Sequence, residues 1–167
     1  RLKRILDKKS LYVNLGLNNE GSIFIKNKLK NKKFNIPYGI NIAKTNCKEN
    51  VIPKNAINDY LFSLKILRSL GNYFTINISC PNAFGGQPFT SPKLYSSLLS
   101  EIEKLKVKKP IFIKLSPDLN KNQIDSILEI SGNYSISGFI CTNLTKKKLK
   151  STGGYSGKLV EKSSNNL

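Results

Sequence analysis

Residues 73–79 read YFTINIS, a run rich in Ile and Phe and about as long as a buried strand. Three further runs have the same character: YGINIA at 38–43, PIFIKLS at 110–116 and ISGFICT at 136–142. Helical patterns lie between them. Residues 54–70 carry Ile57, Tyr60, Leu61, Leu64 and Leu67 at helical spacing, and Gly71 suits the position after the end. Residues 92–107 repeat the pattern with Leu94, Tyr95, Leu98, Leu99, Ile102 and Leu105, opened by Ser91 as cap and Pro92 at the first helical position. Residues 121–131 begin after Asn120, with Gln123 three positions on as a variant capping box. A shorter helix is read at 22–32. This alternation is the grammar of a parallel sheet with covering helices. It fits either an open doubly wound sheet or part of an eight-stranded βα barrel.

Each strand carries a polar residue near its end: Asn41 in GINIAK, Asn77 in INISC, Lys114 in IFIKLSP, and Thr142–Asn143 closing GFICTN. A polar side chain in a buried strand costs a few kcal/mol unless it is partnered. At one position a structural hydrogen bond explains it. Four strands in a row favour a shared site at the C-terminal mouth of a barrel. Asparagines offer both donor and acceptor and suit a planar amide or imide ring. Lys114 supplies a positive charge for an anion or a reduced cofactor. Cys80, three residues after Asn77, could act as base or nucleophile, against the plain alternative of an inert buried thiol. Pro81 and the Gly85–Gly86 pair mark a loop with hinges suited to a lid. Cys47 is expected to do no chemistry, and Cys141 to be a core residue within a strand.

The chain of 167 residues is long enough to bury a core, and no window is apolar for the roughly 18 residues a membrane span requires. The opening RLKRILDKKS is basic but leads into no apolar signal segment. A first residue of Arg and the absence of Met point to truncation. The net charge of +18 raises nucleic-acid binding. However, the heavy use of Lys, Asn and Ile fits an AT-rich genome. Only KKKLK at 146–150 is a dense basic run, and no aromatics interleave with it. Nucleic acid is therefore not expected as the main partner. Three cysteines without CxxC spacing and no His disfavour zinc and disulfides, so no metal and a reducing, cytoplasmic compartment are expected.

NISCPNAFGG at 77–86 resembles the catalytic-loop motif of dihydroorotate dehydrogenases, N-[ILV]-S-[CS]-P-N-x-x-G. The resemblance continues in order through GLNNEG at 16–21, GINIAK at 39–44, IKLSPDL at 113–119, CTNLT at 141–145 and GGYSGK at 153–158. It implies an α/β fold, a partial (β/α)8 TIM barrel holding roughly strands three to six. Residues 1–167 would be one partial FMN-binding domain, inactive as a fragment. The implied activity is FMN-dependent oxidation of dihydroorotate to orotate in pyrimidine (UMP) biosynthesis. Cys80 would be the base that takes the C5 proton as hydride leaves C6. Asn77, Asn82 and Asn143 would bind substrate, with Leu144 beside them. Asn41, Asn77 and Thr142 would contact FMN, Lys114 would stabilise the reduced ring, and Gly157 would let backbone approach the cofactor. Asn14 is a weaker substrate-binding candidate, because VNLGL at 13–17 places it one residue nearer the glycine than the family's N-x-x-G-[FL].

The resemblance leaves the electron acceptor open among quinone, fumarate and NAD. GLNNEG and GINIAK resemble the quinone-linked branch, whereas a cysteine at position 80 is usual in the other two. A quinone acceptor would place the protein peripherally at the inner membrane face; homodimerisation is left open. The alternatives are a tRNA dihydrouridine synthase-like FMN barrel, which has glycine where Ser79 stands, and a truncated non-catalytic copy.

Overall fold

The computed structural model describes residues 1–79, 86–142, 144–146 and 153–167. The strands are β1 (Leu2–Ile5), β2 (Ser10–Val13), β3 (Gly39–Ala43), β4 (Tyr73–Asn77), β5 (Ile111–Lys114), β6 (Gly138–Ile140) and β7 (Gly154–Gly157). The helices are α1 (Gly21–Leu29), α2 (Pro53–Leu67), α3 (Pro92–Glu103), α4 (Lys121–Ser131) and α5 (Lys158–Asn165). Strands β3, β4, β5 and β6 form a parallel sheet in sequence order. The four expected strands are thus present and adjacent, although β4 ends at Asn77 and β6 shrinks to three residues.

Burial follows the two-residue period of the strands. Ile40, Ile42, Phe74, Ile76, Ile111 and Ile113 join one core with Ala56, Tyr60 and Leu64 of α2 and Tyr95, Leu98, Leu99 and Ile102 of α3. The alternate residues point away from the helices. Register aligns Asn41 with Thr75 and Phe112, and Ala43 with Asn77, Lys114 and Ile140. The N-terminal half of this second face is filled by rings: Tyr73 and Phe112 meet edge to face at 5.6 Å. Gly39 makes room for them, since a Cβ there would lie 2.1 Å from the Tyr73 ring.

The capping box of α4 forms as read: the Asn120 side chain accepts from Gln123 N, and the Gln123 side chain accepts from Asn120 N. Ser91 occupies the cap position of α3 in extended conformation but makes no side-chain cap bond there. Helices α2 and α3 stop earlier than their periodicity suggests. Gly71, with φ +65°, lies four residues beyond Leu67 rather than directly after the helix.

A second sheet was not read from the sequence. Strands β1, β2 and β7 pair antiparallel, joining the chain's opening segment to residues near its end, with Ser10 opposite Gly157. Cys141 also needs correction: it lies just past β6 and is exposed rather than core. Its thiol is nonetheless partly desolvated, which raises its pKa. Among the described residues, no helix is long and apolar enough to cross a membrane.

Candidate active site

The C-terminal ends of β4 and β5 bring Asn77 and Lys114 into direct register. Asn77 is 7% exposed and Ser79 6% exposed, so their polar atoms require partners. Asn77 Oδ1 accepts two hydrogen bonds, from Ser79 N at 3.1 Å and from Ser79 Oγ at 2.7 Å. Lys114 Nζ donates to the same Ser79 Oγ at 3.1 Å. Because a backbone N–H can only donate, Oδ1 must face Ser79, and the Asn77 NH2 is turned the other way. The Asn77 carbonyl is held from the helix side by Tyr60 Oη at 2.8 Å. Ser79 is thus the centre of a short polar chain, Asn77–Ser79–Lys114. Sequence reading used it only to tell two families apart.

Asn41 lies on the same face of β3 and is exposed. Asn41, Asn77 and Lys114 therefore share the face opposite the helices, as the strand ends implied. Lys44, two residues beyond Ile42, lies on the other side at 4% exposed, with Nζ donating to Asn50 O at 3.4 Å. The turn after β3 is pinned by Asp59 of α2, whose carboxylate accepts from Thr45 N at 2.6 Å and Thr45 Oγ1 at 3.0 Å.

The remaining candidates are placed as follows. Thr142 Oγ1 is 2.8 Å from Ser164 Oγ of α5. Leu144 packs over Gly154, whose hypothetical Cβ would lie 3.1 Å from the Leu144 Cβ. Gly157 has φ +85°, and a Cβ there would lie 2.8 Å from Lys9 O; the close approach that requires glycine is made by β2's leading segment. Asn14 follows β2, its backbone N–H donating to Arg1 O at 2.7 Å. Cys80, Asn82 and Asn143 lie outside the described residues.

The sequence profile of the dihydroorotate dehydrogenase family matches residues 3–166. The chain belongs to that family. Dihydroorotate dehydrogenase (quinone) of Trichodesmium erythraeum is 35% identical over 100% of this chain and 49% of its own length. The enzyme of the same name from Haloarcula marismortui is 32% identical over 96% of this chain and 47% of its own length. This chain thus spans about half the length of the dihydroorotate dehydrogenases it matches. Ligand-free dihydroorotate dehydrogenase from Eimeria tenella superposes with a TM-score of 0.84 at 22% identity, covering 99% of this chain and 55% of that one. The likeness assigns the parallel sheet to part of a dihydroorotate dehydrogenase barrel. The same superposition takes in β1, β2 and β7, which form their own antiparallel sheet.

Proposed function

We propose that this chain forms the central part of an FMN-dependent dihydroorotate dehydrogenase that oxidises dihydroorotate to orotate in pyrimidine biosynthesis. The observation that carries the reading is the Asn77–Ser79–Lys114 chain on the strand face opposite the helices. An amide NH2 and an ammonium group on one face suit an acceptor-rich planar ring, which describes both the flavin and the dihydroorotate ring. The donor set therefore fits the cofactor. Asn41, Asn77, Lys114, Thr142 and Gly157 would hold FMN, and Asn77, Asn82, Asn143, Leu144 and Asn14 would surround the substrate. When bound there, FMN would supply the acceptor for the hydride that leaves C6. Cys80 Sγ takes the C5 proton. Lys114 places its positive charge where negative charge accumulates, fixed on a strand rather than a loop.

The relatives' quinone linkage supports a quinone acceptor for the whole protein. Steady-state turnover with quinone, fumarate and NAD in parallel decides among them. The role of Cys80 is tested by single-turnover flavin bleaching across pH in the full-length enzyme. A cysteine has an unperturbed pKa near 8.5 and loses its proton with modest help, whereas serine needs a relay. Cys80→Ala is expected to leave FMN and orotate binding nearly intact and to slow flavin reduction by about 10² to 10⁴-fold. Cys80→Ser should retain more activity than alanine, with its pH optimum moved upward. Reduction of the alanine variant at the wild-type rate would remove Cys80 from the mechanism.

A further inference from the structure

Three hydrogen bonds converge on Asp118, a residue that the proposed chemistry does not use. It follows β5 in the segment SPDL at 116–119. Thr145 Oγ1 donates to its Oδ1, and Lys146 N donates to its Oδ2 at 2.8 Å. Its own backbone N–H donates to Ser116 Oγ at 3.3 Å. Thr145 is 4% exposed and Ser116 is 1% exposed, so these bonds lie where water competes poorly. Thr145 is also paired with Tyr155 of β7, each backbone N–H donating to the other's carbonyl at 2.9 Å.

Both carboxylate oxygens are thus spent on two consecutive residues of one neighbouring segment. A fork of this kind fixes the direction as well as the position of what it holds, and bonds to a carboxylate are stronger than neutral ones. The segment held is the direct continuation of Thr142 and Leu144.

The geometry points to Asp118 as a positioning residue: its carboxylate latches Thr145–Lys146 to the end of β5 and thereby holds Thr142 and Leu144 at the rim of the site. This rests on the reading of that rim as the cofactor and substrate site. Without the carboxylate, the bonds from the Thr145 hydroxyl and the Lys146 N–H to residue 118 are lost, while the Tyr155 pairing and the Thr142–Ser164 bond remain.

The test uses Asp118→Ala, Asp118→Asn and Thr145→Val in the full-length enzyme, with two independent measurements. Amide hydrogen exchange at Lys146 and Tyr155 should accelerate at least about tenfold in Asp118→Ala, with the amides of β4 and β5 unchanged. Orotate affinity, followed by the perturbation of the flavin absorbance, should weaken about tenfold, the size of one lost charge-assisted bond. Flavin reduction at saturating dihydroorotate should change less than about threefold, because the reacting groups are untouched. Thr145→Val should reproduce part of the effect, and the double variant should be no weaker than Asp118→Ala. Asp118→Asn keeps an acceptor for Thr145 and should fall between. Unchanged exchange in Asp118→Ala overturns the latch, and acceleration spreading through β4 and β5 overturns it in favour of a general structural role. If the wild-type flavin does not respond to orotate, the functional reading fails, and the exchange measurement alone decides the latch.

Discussion

Asn77 has one amide group and two ways to point it, and Ser79 chooses between them. With Oδ1 accepting from both Ser79 N and Ser79 Oγ, the side chain offers a ligand hydrogen atoms and not lone pairs. Asn77→Asp isolates this property. A carboxylate still accepts both Ser79 bonds, so the melting temperature should move by no more than a few degrees. The donor toward the ligand is gone, however, and orotate or FMN affinity should fall at least about tenfold. Calorimetric titration beside a thermal melt separates the two effects. Wild-type affinity in the aspartate variant would mean that Asn77 serves its ligand as an acceptor.

At the scale of elements, α3 and α4 are joined by a buried bond between Tyr95 Oη and Ser131 Oγ at 2.7 Å. Ser131 spends its only proton on Ile127 O at 2.6 Å, so Tyr95 must be the donor. Burial pushes the Tyr95 pKa up to about 12. A phenol whose folded pKa is raised contributes stability that is fully present below its unfolded pKa near 10. That stability is lost as pH rises through 12. Denaturant titrations from pH 9 to 12 should show a loss on the order of 2 kcal/mol from this group, and Tyr95→Phe should flatten that part of the slope. At the other end of α4, Asn120→Ala should cost about 1 kcal/mol by removing the capping box, read from the same titrations.

These elements also explain what was legible in the sequence. Helices α2, α3 and α4 separate the successive strands of the parallel sheet, so GINIA, YFTIN and IFIK could be read as strands. Asn41, Asn77 and Lys114 followed from that. The antiparallel sheet could not be read the same way. LKRI, SLYV and GYSG are four residues each, β1 is largely exposed, and the Ser10–Gly157 pairing spans most of the chain. No local pattern encodes such a pairing. Ser79 and Asp118 were missed for another reason. Small polar residues just past a strand look like turn punctuation until their partners are known.

For the whole molecule, the parallel sheet ends at β3 on one side and β6 on the other, each paired along one edge among the described strands. Such edges are templates for further pairing. The net charge of +18 opposes contact between copies, and salt screens it over about 10 Å at 0.1 M. The 167-residue chain on its own is therefore expected to stay dispersed at low ionic strength and to associate as salt is raised. Light scattering along a salt titration checks this. Association that weakened with salt would show that charge, and not strand edges, brings copies together.

The fit of Gly39 beneath the Tyr73 ring makes these two positions a single heritable unit. A Cβ at 39 would lie 2.1 Å from ring carbon, too close for any small adjustment, while nothing comparable forbids a smaller side chain at 73. Mutational routes through this pair are consequently ordered. Gly39→Ala arising first should disrupt the packing of β3 on β4, whereas Tyr73→Ala arising first should leave a cavity that the later methyl group partly refills. The double variant should be more stable than Gly39→Ala alone, a sign reversal that a double-mutant cycle reads directly. The route that changes the tyrosine first is therefore expected to be the less costly of the two.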